Sequence, residues 1–410
     1  VNSGCDPVVS VIVPARNEEA CLGLCVESLI AQTGINFEII VVDDASTDRT
    51  AEIARSFSNA HVGADALVRP RPTGSSPDDE FTPDVTLIAA PPLQENWTGK
   101  NNAMSAGVKI THAKAKWLLF TDADTFHKPD SLARAVAEAE QHGAALLSYS
   151  PEQEVRTFWE KAVMPVIFAE LASTYPPKKV NDPASPIAAA NGQYLLISRE
   201  AYDAVGGHTK IASDLLEDVA MARLVKSSGR KIFFRYGGDA VRTRMYRSWS
   251  QMKEGWTKNL ALLFARPWSI GCWRLSEFLL ILSLLIGALE MRSITGLYGP
   301  FFFLLLLASI AFFFFWMRVR GAHFSMTSSA ISIFGLPVFA YLLFRSARLR
   351  KSRGVSWKGR EYRSAQSGAA TPNDDKFSAA LALFMTVQIP LFLAAAAFLA
   401  MYGHKIFHRH

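Results

Sequence analysis

Apolar positions change character near residue 265. Before it they come in short runs broken by charged loops; beyond it the apolar runs lengthen sharply. Residues 8–13 and 37–42 are β-branched runs that read as strands, and 18–31 between them has helical spacing. Residues 50–57 read as the next helix, 85–89 as a strand, 101–111 as a helix, 117–120 as a strand and 129–142 as a helix. Strands alternating with helices predict an α/β fold on a mostly parallel, Rossmann-like sheet. Residues 69–84, with Pro70, Pro72, Gly74, Pro77 and Pro83, read as a surface loop. Residues 154–175 are apolar around much of the circumference, which suits a core helix or one at a membrane interface equally well.

Beyond residue 265 lie four apolar stretches, 275–289, 297–317, 327–344 and 377–402. The second and fourth are long enough to span a bilayer core of about 30 Å. The first is short and ends at Glu290; the third is interrupted by Gly335, Leu336 and Pro337. The expected organisation is therefore a catalytic domain with interfacial helices over 1–265 and a transmembrane or interfacial helical region over 266–410.

Charge sharpens this picture. The net charge is +6, and Arg345, Arg348, Arg350, Lys351, Arg353, Lys358, Arg360 and Arg363 crowd between the third and fourth stretches. Cationic loops beside membrane helices favour the cytoplasmic side and anionic lipid. If the first three stretches all crossed, this run would land opposite a cytoplasmic N-terminal domain. One of the three, the short first or the broken third, is therefore expected to be re-entrant or interfacial. No helix-turn-helix or zinc pattern accompanies the charge, so nucleic acid is not an expected partner. Cys5, Cys21, Cys25 and Cys272 form no C-x-x-C pair and no zinc spacing. Cys21 and Cys25 read as small buried residues on one helix face, and a reducing compartment is expected.

Candidate chemistry sits at the strand ends, where open α/β sheets bind ligands. Pro14, Ala15, Arg16, Asn17 and Glu18 follow the first strand. Asp43, Asp44, Ala45, Ser46, Thr47 and Asp48 follow the second. Asp48 reads as a helix cap; Asp44 suits a base or ribose contact. Asp122 and Asp124 follow the strand 117–120, and two such carboxylates cannot both be buried without a cation. Gly99 and Lys100 open a helix, a natural anion site, although a solvated lysine would look the same. Glu217 and Asp218 open another helix; they fit either helix capping or a general base at Asp218. Asn191, Gly192 and Gln193, then Gly206, Gly207 and His208, suggest turns framing an acceptor cleft.

Taken in order, P-A-R-N-E, V-D-D-A-S-T-D, W-T-G-K-N-N-A, T-D-A-D-T and L-E-D-V-A resemble family 2 glycosyltransferases of the GT-A fold over about residues 8–265. Tyr175 to Asp182, Glu254 to Asn259 and Trp357 to Tyr362 are similar to membrane-bound bacterial members associated with hopanoid and carotenoid glycosylation, and more distantly to ceramide glucosyltransferases. The resemblance implies nucleotide-sugar contacts at Pro14, Arg16, Glu18, Asp44, Lys100 and Asp122, a Mg²⁺ or Mn²⁺ ligand at Asp124 and a base at Asp218 beside Glu217. It also implies an inverting single displacement from a nucleotide-sugar, a UDP-sugar being expected, to a membrane-lipid hydroxyl. The enzyme would be an integral membrane protein with its catalytic domain on the cytoplasmic side of a bacterial inner membrane. Where processive and ceramide-type relatives carry Q-x-x-R-W, this chain reads Gln251, Met252, Lys253, Glu254, Gly255, Trp256. The arginine is missing, which argues against the alternative of a processive polysaccharide synthase. Trp256, Lys258 and Trp357 are then the candidates for the acceptor or interface role. A non-catalytic scaffold would be expected to lack acidic motifs, and all are present.

Overall fold

The computed structural model describes residues 6–58, 83–296, 298–352, 355–357 and 360–362. The chain forms two compact units, Val1–Glu154 with Tyr175–Met245, and Val155–Thr174 with Tyr246–His410. The proline-rich stretch around 69–82, Arg353, Lys358, Arg363 and the apolar stretch 377–402 lie outside the described residues.

The first unit opens with β1 (Val9–Ala15), α1 (Leu22–Ile30), β2 (Phe37–Asp43), α2 (Thr50–Ser58), β3 (Val85–Ala89), α3 (Gly99–Lys109) and β4 (Trp117–Phe120). It continues through β5 (Thr125–His127), α4 (Ser131–His142), β6 (Leu146–Ser150) and β7 (Glu152–Gln153). After α5 (Phe158–Thr174), which belongs to the second unit, come α6 (Pro177–Val180), β8 (Leu195–Ser198), α7 (Arg199–Ala204), α8 (Gly207–Lys210), α9 (Glu217–Ser227), β9 (Ile232–Tyr236) and β10 (Val241–Thr243).

A seven-stranded sheet runs β3-β2-β1-β4-β8-β6-β9, and β5, β10 and β7 form a small second sheet. Strand β1 shows why the large sheet is covered on both faces. Val9, Val11 and Val13 join the core beneath α1 and α4, through Leu22, Val26, Leu29, Leu132 and Ala135. Ile12 joins the opposite core, with Ala103 and Met104 of α3 and Met221, Ala222 and Val225 of α9. Alternate positions of an extended strand face opposite sides, so a strand apolar throughout must be sandwiched.

Register sets up the crevice. Ala15 pairs with Asp43, and Asp43 with Ala89, so the parallel strands β1, β2 and β3 end together. Strand β8 is antiparallel to both of its neighbours, β4 and β6, and Leu195 at its start pairs with Phe120 at the end of β4. An antiparallel strand begins where its parallel neighbours finish, so the turn at Asn191, Gly192 and Gln193 is delivered beside Thr121 to Asp124.

The second unit holds α5, α10 (Trp249–Leu263), α11 (Pro267–Thr295), α12 (Tyr298–Arg320), α13 (Met326–Ile331), a 3₁₀ turn (Ser332–Phe334), α14 (Gly335–Ser352), and a ribbon of β11 (Val355–Trp357) and β12 (Arg360–Tyr362). Three helical segments, Pro267–Ser293, Tyr298–Arg320 and Met326–Arg350, are long and apolar enough to cross a membrane. The first apolar stretch is thus not short: its helix runs from Pro267 through Glu290 to Thr295. Polar residues near its start read as a boundary in sequence because their partners are distant. Arg274 donates to Glu170 of α5 at 2.8 Å and to Glu277 at 3.0 Å, and Arg318 of α12 donates to Glu277 at 2.7 Å. The third stretch is broken at the 3₁₀ turn, just before Gly335. Helix α5 is a packed helix of this unit, with Ala162, Val163, Val166 and Ile167 fully buried.

Candidate active site

The loops after β1 and β2 are laced to each other. Arg16 Nη1 donates to the Asp44 carbonyl at 2.6 Å, and the Asp44 amide donates to the Ala15 carbonyl at 2.8 Å. The Thr47 amide donates to Asn17 Oδ1 at 2.8 Å, and the Glu18 amide to Thr50 Oγ1 at 2.7 Å. Asn17 and Ala45 hold left-handed backbone, φ 53° and 55°. Strained backbone of this kind persists where surrounding structure fixes it, and clusters at ligand sites. Asp48 does cap α2, accepting the Thr50 amide at 3.0 Å, and also takes the Glu19 amide at 3.2 Å. Asp44 is almost wholly buried, while Pro14, Arg16 and Glu18 are part-buried around it.

A second group gathers where β4, α3 and α9 meet. Lys100 Nζ lies 2.6 Å from Asp122 Oδ1 and 2.6 Å from Glu217 Oε1. The lysine is therefore clamped between two carboxylates rather than solvated. Burial acts to lower its pKa, but the two carboxylates outweigh burial and raise it, so it stays charged. Asp218 Oδ2 accepts the Gly192 amide at 2.8 Å, and Oδ1 accepts the Val219 amide at 2.7 Å. Burial, with Glu217 next, pushes the Asp218 pKa up to about 6, although Lys100 and both amides act against it. A Cβ on Gly192 would sit 3.0 Å from Lys100 Nζ, 3.1 Å from Glu217 Oε1 and 3.5 Å from Asp218 Oδ2. Glycine keeps that space open. His208, buried nearby, is pushed down to about 4, by burial first, and stays neutral at pH 7.

Asp124 is held through its backbone: Thr243 Oγ1 donates to its carbonyl at 3.1 Å. Thr121 Oγ1 donates to the Gln193 carbonyl at 2.8 Å, and Gln193 Nε2 to Thr243 Oγ1 at 3.2 Å. These bonds tie the Asp122–Asp124 loop to the turn at Gly192. Among the described residues no group of three or more His, Cys, Asp or Glu side chains converges as a metal cage. Two hard carboxylates on one loop still fit a magnesium-type ion, which takes its remaining ligands from phosphates and water.

The profile described as Glycosyl transferase family 2 matches residues 10–76 and 79–206, covering the loops after β1 and β2, Lys100, Asp122, Asp124 and Gly192. This chain carries a family 2 glycosyltransferase domain. With the sheet order above, the domain is mixed α/β. Curated relatives include the 4,4'-diaponeurosporenoate glycosyltransferase of Staphylococcus aureus strains USA300 and NCTC 8325 / PS 47, each 30% identical over 261 residues. That match covers 62% of this chain and 60% of the relative, so it spans well under the relative's whole length. Among solved structures, a mannosyltransferase from Pyrobaculum calidifontis in complex with GDP-Man and Mn2+ is 18% identical, with TM-score 0.47, covering 84% of this chain and 87% of that one. S. aureus TarS in complex with UDP-GlcNAc is 12% identical, with TM-score 0.36, covering 88% and 97%.

Within the first unit, the residues expected from sequence fall into two groups. Pro14, Arg16, Glu18 and Asp44 share the β1 and β2 loops, and Lys100, Asp122, Glu217 and Asp218 share the acidic group. Trp256, in the second unit, is only 2% exposed, with its ring packed on Tyr246 and Phe168 and its indole N–H 3.4 Å from Met164 Sδ. Lys258 is part-buried on α10, and Trp357 lies on β11, its side chain outside the described part. Three residues of the domain were not singled out. Asn101 Nδ2 donates to the carbonyls of Ile211, at 2.7 Å, and Asp214, at 3.1 Å, fixing the approach to α9. Thr243 and His127 brace the Asp124 loop, His127 through Thr121 at 3.1 Å. Asn101 stands beside Lys100 in a flagged motif, but nothing local reveals where its amide reaches.

Proposed function

We propose that the protein is an inverting glycosyltransferase moving one sugar from a nucleotide-sugar, with a UDP-sugar as first choice, to a hydroxyl of a membrane lipid. One observation carries this reading. Asp218, with its pKa raised to about 6, stands beside a lysine shared by Asp122 and Glu217, in a chain whose residues 10–206 match a sugar-transferring family. A carboxylate of that pKa is ionised at neutral pH yet basic enough to take a hydroxyl proton as the new bond forms. Pro14, Arg16, Glu18 and Asp44 would hold the nucleoside. Asp122 would contact donor ribose or sugar, and Lys100 would exchange a carboxylate for donor phosphate. Asp124 would ligate Mg²⁺ or Mn²⁺, which when bound offsets charge on the departing diphosphate. No covalent nucleophile is required. The lipid acceptor is supported by the relative named for diaponeurosporenoate and by three helical segments fit to cross a membrane. A cytoplasmic catalytic face at a bacterial inner membrane is supported by Arg345, Arg348 and Arg350 at the end of α14.

The test is a screen of nucleotide-sugars with fractionated membrane lipid, with and without chelator. Transfer to a hydroxyl lipid that stops in chelator and returns with Mg²⁺ or Mn²⁺ is expected. Full activity in excess chelator would remove the metal. Transfer to acid-bearing lipids alone would remove the need for a base and so the role given to Asp218. Long homopolymer products would favour a processive synthase.

A further inference from the structure

The three segments fit to cross a membrane differ in how they meet their surroundings. Only 17% of the first and 11% of the second are buried within the protein, against 50% of the third. What they expose differs too. Helix α11 exposes Leu279, Leu282, Leu285, Ile286 and Leu289, and α12 exposes Phe302, Phe303, Leu306, Phe313 and Phe314. Those are lipid-facing surfaces, apolar along their length. The broken pair α13 and α14 instead buries Leu336, Phe339, Ala340, Leu343 and Ala347, and exposes Met326, Thr327, Phe334, Tyr341, Arg345 and Arg348. With its apolar face packed on the protein and Tyr341, Arg345 and Arg348 outward, α14 offers no continuous apolar face to hydrocarbon as α11 and α12 do, and its aromatic and cationic face suits the headgroup level. The inward face is fitted closely. A Cβ on Gly335 would overlap the Ala162 carbonyl oxygen of α5, so α14 begins directly against that backbone.

Beside Phe334 stands an exposed aromatic ledge built from three elements. Phe158 and Trp159 open α5, Trp249 opens α10, and the 3₁₀ turn supplies Phe334; they are 50%, 45%, 37% and 54% exposed. Ring centroids lie 5.2 Å apart for Phe158 and Trp159, 5.5 Å for Trp159 and Trp249, and 6.3 Å for Phe158 and Phe334. Four large rings left open together in one patch imply an occupant. The same unit already presents α11 and α12 to lipid, and exposed Arg156 and Arg247 flank the ledge in sequence.

We propose that α13 and α14 do not cross the membrane, and that with the ledge of Phe158, Trp159, Trp249 and Phe334 they form a surface seated in the headgroup layer of an anionic lipid leaflet. The crossing element among the described residues is then the α11–α12 hairpin. This also resolves the charge problem posed by the sequence. A hairpin returns the chain to its starting side, and Arg318, Arg320, Arg345, Arg348 and Arg350 then all lie on one side, as the positive-inside bias requires. The ion network agrees: Arg274, near the start of α11, and Arg318, near the end of α12, both reach Glu277, so the two ends of the hairpin share one level.

The test uses the full chain, its native cysteines replaced by Ala or Ser, in liposomes containing phosphatidylglycerol. Nitroxide labels go at one exposed position at a time, Met326→Cys, Phe334→Cys, Tyr341→Cys, Trp159→Cys and Trp249→Cys, with Phe303→Cys, Leu306→Cys and Ile310→Cys as the crossing reference. Depth is read from relative accessibility to oxygen and to a nickel chelate. The reference positions should pass through deep values, while the other five stay at one shallow level, within about 10 Å of the headgroups. Deep values at Phe334 and Tyr341, matching Leu306, would overturn the proposal. Replacing phosphatidylglycerol with a zwitterionic lipid should move Tyr341→Cys outward; an unchanged depth would overturn the anionic part. None of these readings requires sugar transfer, so failure here is separate from failure of the proposed activity.

Discussion

Each unit holds a part-buried group of charges, and the two groups are composed differently. In the second unit Glu170, Arg274, Glu277 and Arg318 balance two acids against two guanidinium groups, and each arginine lies within 4 Å of both carboxylates. In the first unit the Lys100 ammonium is divided between Asp122 and Glu217, and Asp218 follows directly, accepting backbone amides from Gly192 and Val219. A closed, neutral network offsets its own desolvation and has no reason to change state. An acid-rich group in a crevice is left unbalanced, so a cation or phosphate entering it would rearrange its ion pairs. The same residue types therefore point to structure in one place and chemistry in the other, and stoichiometry separates them.

The largest effect expected from this contrast is on turnover. Asp218→Asn should leave donor affinity near normal and reduce transfer by about 10²–10⁴-fold, the usual loss for a general base. Glu217→Gln should be milder. If both acids only served the start of α9, Asp218→Asn would be nearly harmless, since Asn caps as well as Asp. Donor titration and initial rates on both variants decide between these outcomes.

The balanced group should respond in stability. Arg274→Met leaves Glu170 and Glu277 buried with a partner missing, at a cost of about 3–5 kcal/mol. Replacing Glu170, Arg274, Glu277 and Arg318 together with Leu and Met of similar volume should recover most of that loss. Thermal unfolding in detergent measures both. A quadruple variant as unstable as Arg274→Met would show that the network is not simply a neutral structural tie.

The acid-rich group predicts a smaller stability effect of opposite sign. The Asp218 pKa rises from 3.8 to about 6 in the folded protein, so folding favours its protonated form. That contribution is full below pH 3.8 and is lost as pH rises through about 6, leaving an unfavourable buried charge above it. Asp218→Asn should accordingly raise stability by about 1–2 kcal/mol at pH 8, after discounting for partial exposure, and by almost nothing near pH 3.5. Unfolding midpoints at the two pH values test this, and a gain at pH 3.5 equal to that at pH 8 would contradict it.

Sequence made the first unit far more legible than the second. The strands 85–89 and 117–120 stand where the patterning put them, because β-branched and aromatic runs between polar loops have few other solutions. That Arg16, Asp44 and Asp122 fall on loops at strand ends was legible because the strands themselves were, and strand ends are where an open sheet gathers its loops. The clamp on Lys100 was not, since Asp122 and Glu217 approach it only after β4 and α9 dock. The role of Gly192 was equally hidden: a turn was readable, but not that β8 enters the sheet antiparallel and sets that turn against Asp218. In the second unit, the first apolar stretch was read as running only from 275 to 289 and ending at Glu290. Pairing of Arg274 and Glu277 lets α11 begin at Pro267, and a polar residue's cost in a helix is decided by partners the local sequence does not name.

The smallest expected effect is also the one that sharpens the contrast most. Glu217 sits in the acid-rich group both as a partner of Lys100 and as a neighbour of Asp218, and the two roles oppose each other electrostatically. Its negative charge raises the Asp218 pKa, while Lys100, which it helps to hold, lowers it. Glu217 follows burial as the second cause of the upward shift, so its charge is the stronger of the two. Glu217→Gln keeps the side-chain shape and can still accept a hydrogen bond from Lys100, but removes the charge. The groups facing Asp218 are then Lys100 and the amides of Gly192 and Val219, all favouring the ionised form. If Asp218 is the base it must be ionised, so kcat/KM should fall on the acid side near pH 6 in the parent enzyme. In Glu217→Gln that limb should move to lower pH, while the rate at pH 7.5 falls by less than about tenfold, because the base is present but weaker. A pH profile of kcat/KM from 4.5 to 8 reads both. An acid limb that stays in place would show that Glu217 acts by holding Lys100 alone. A limb moving to higher pH would mean that Lys100 leaves the group once its partner is neutral, and the acid excess would then depend on a cation that Glu217 itself retains.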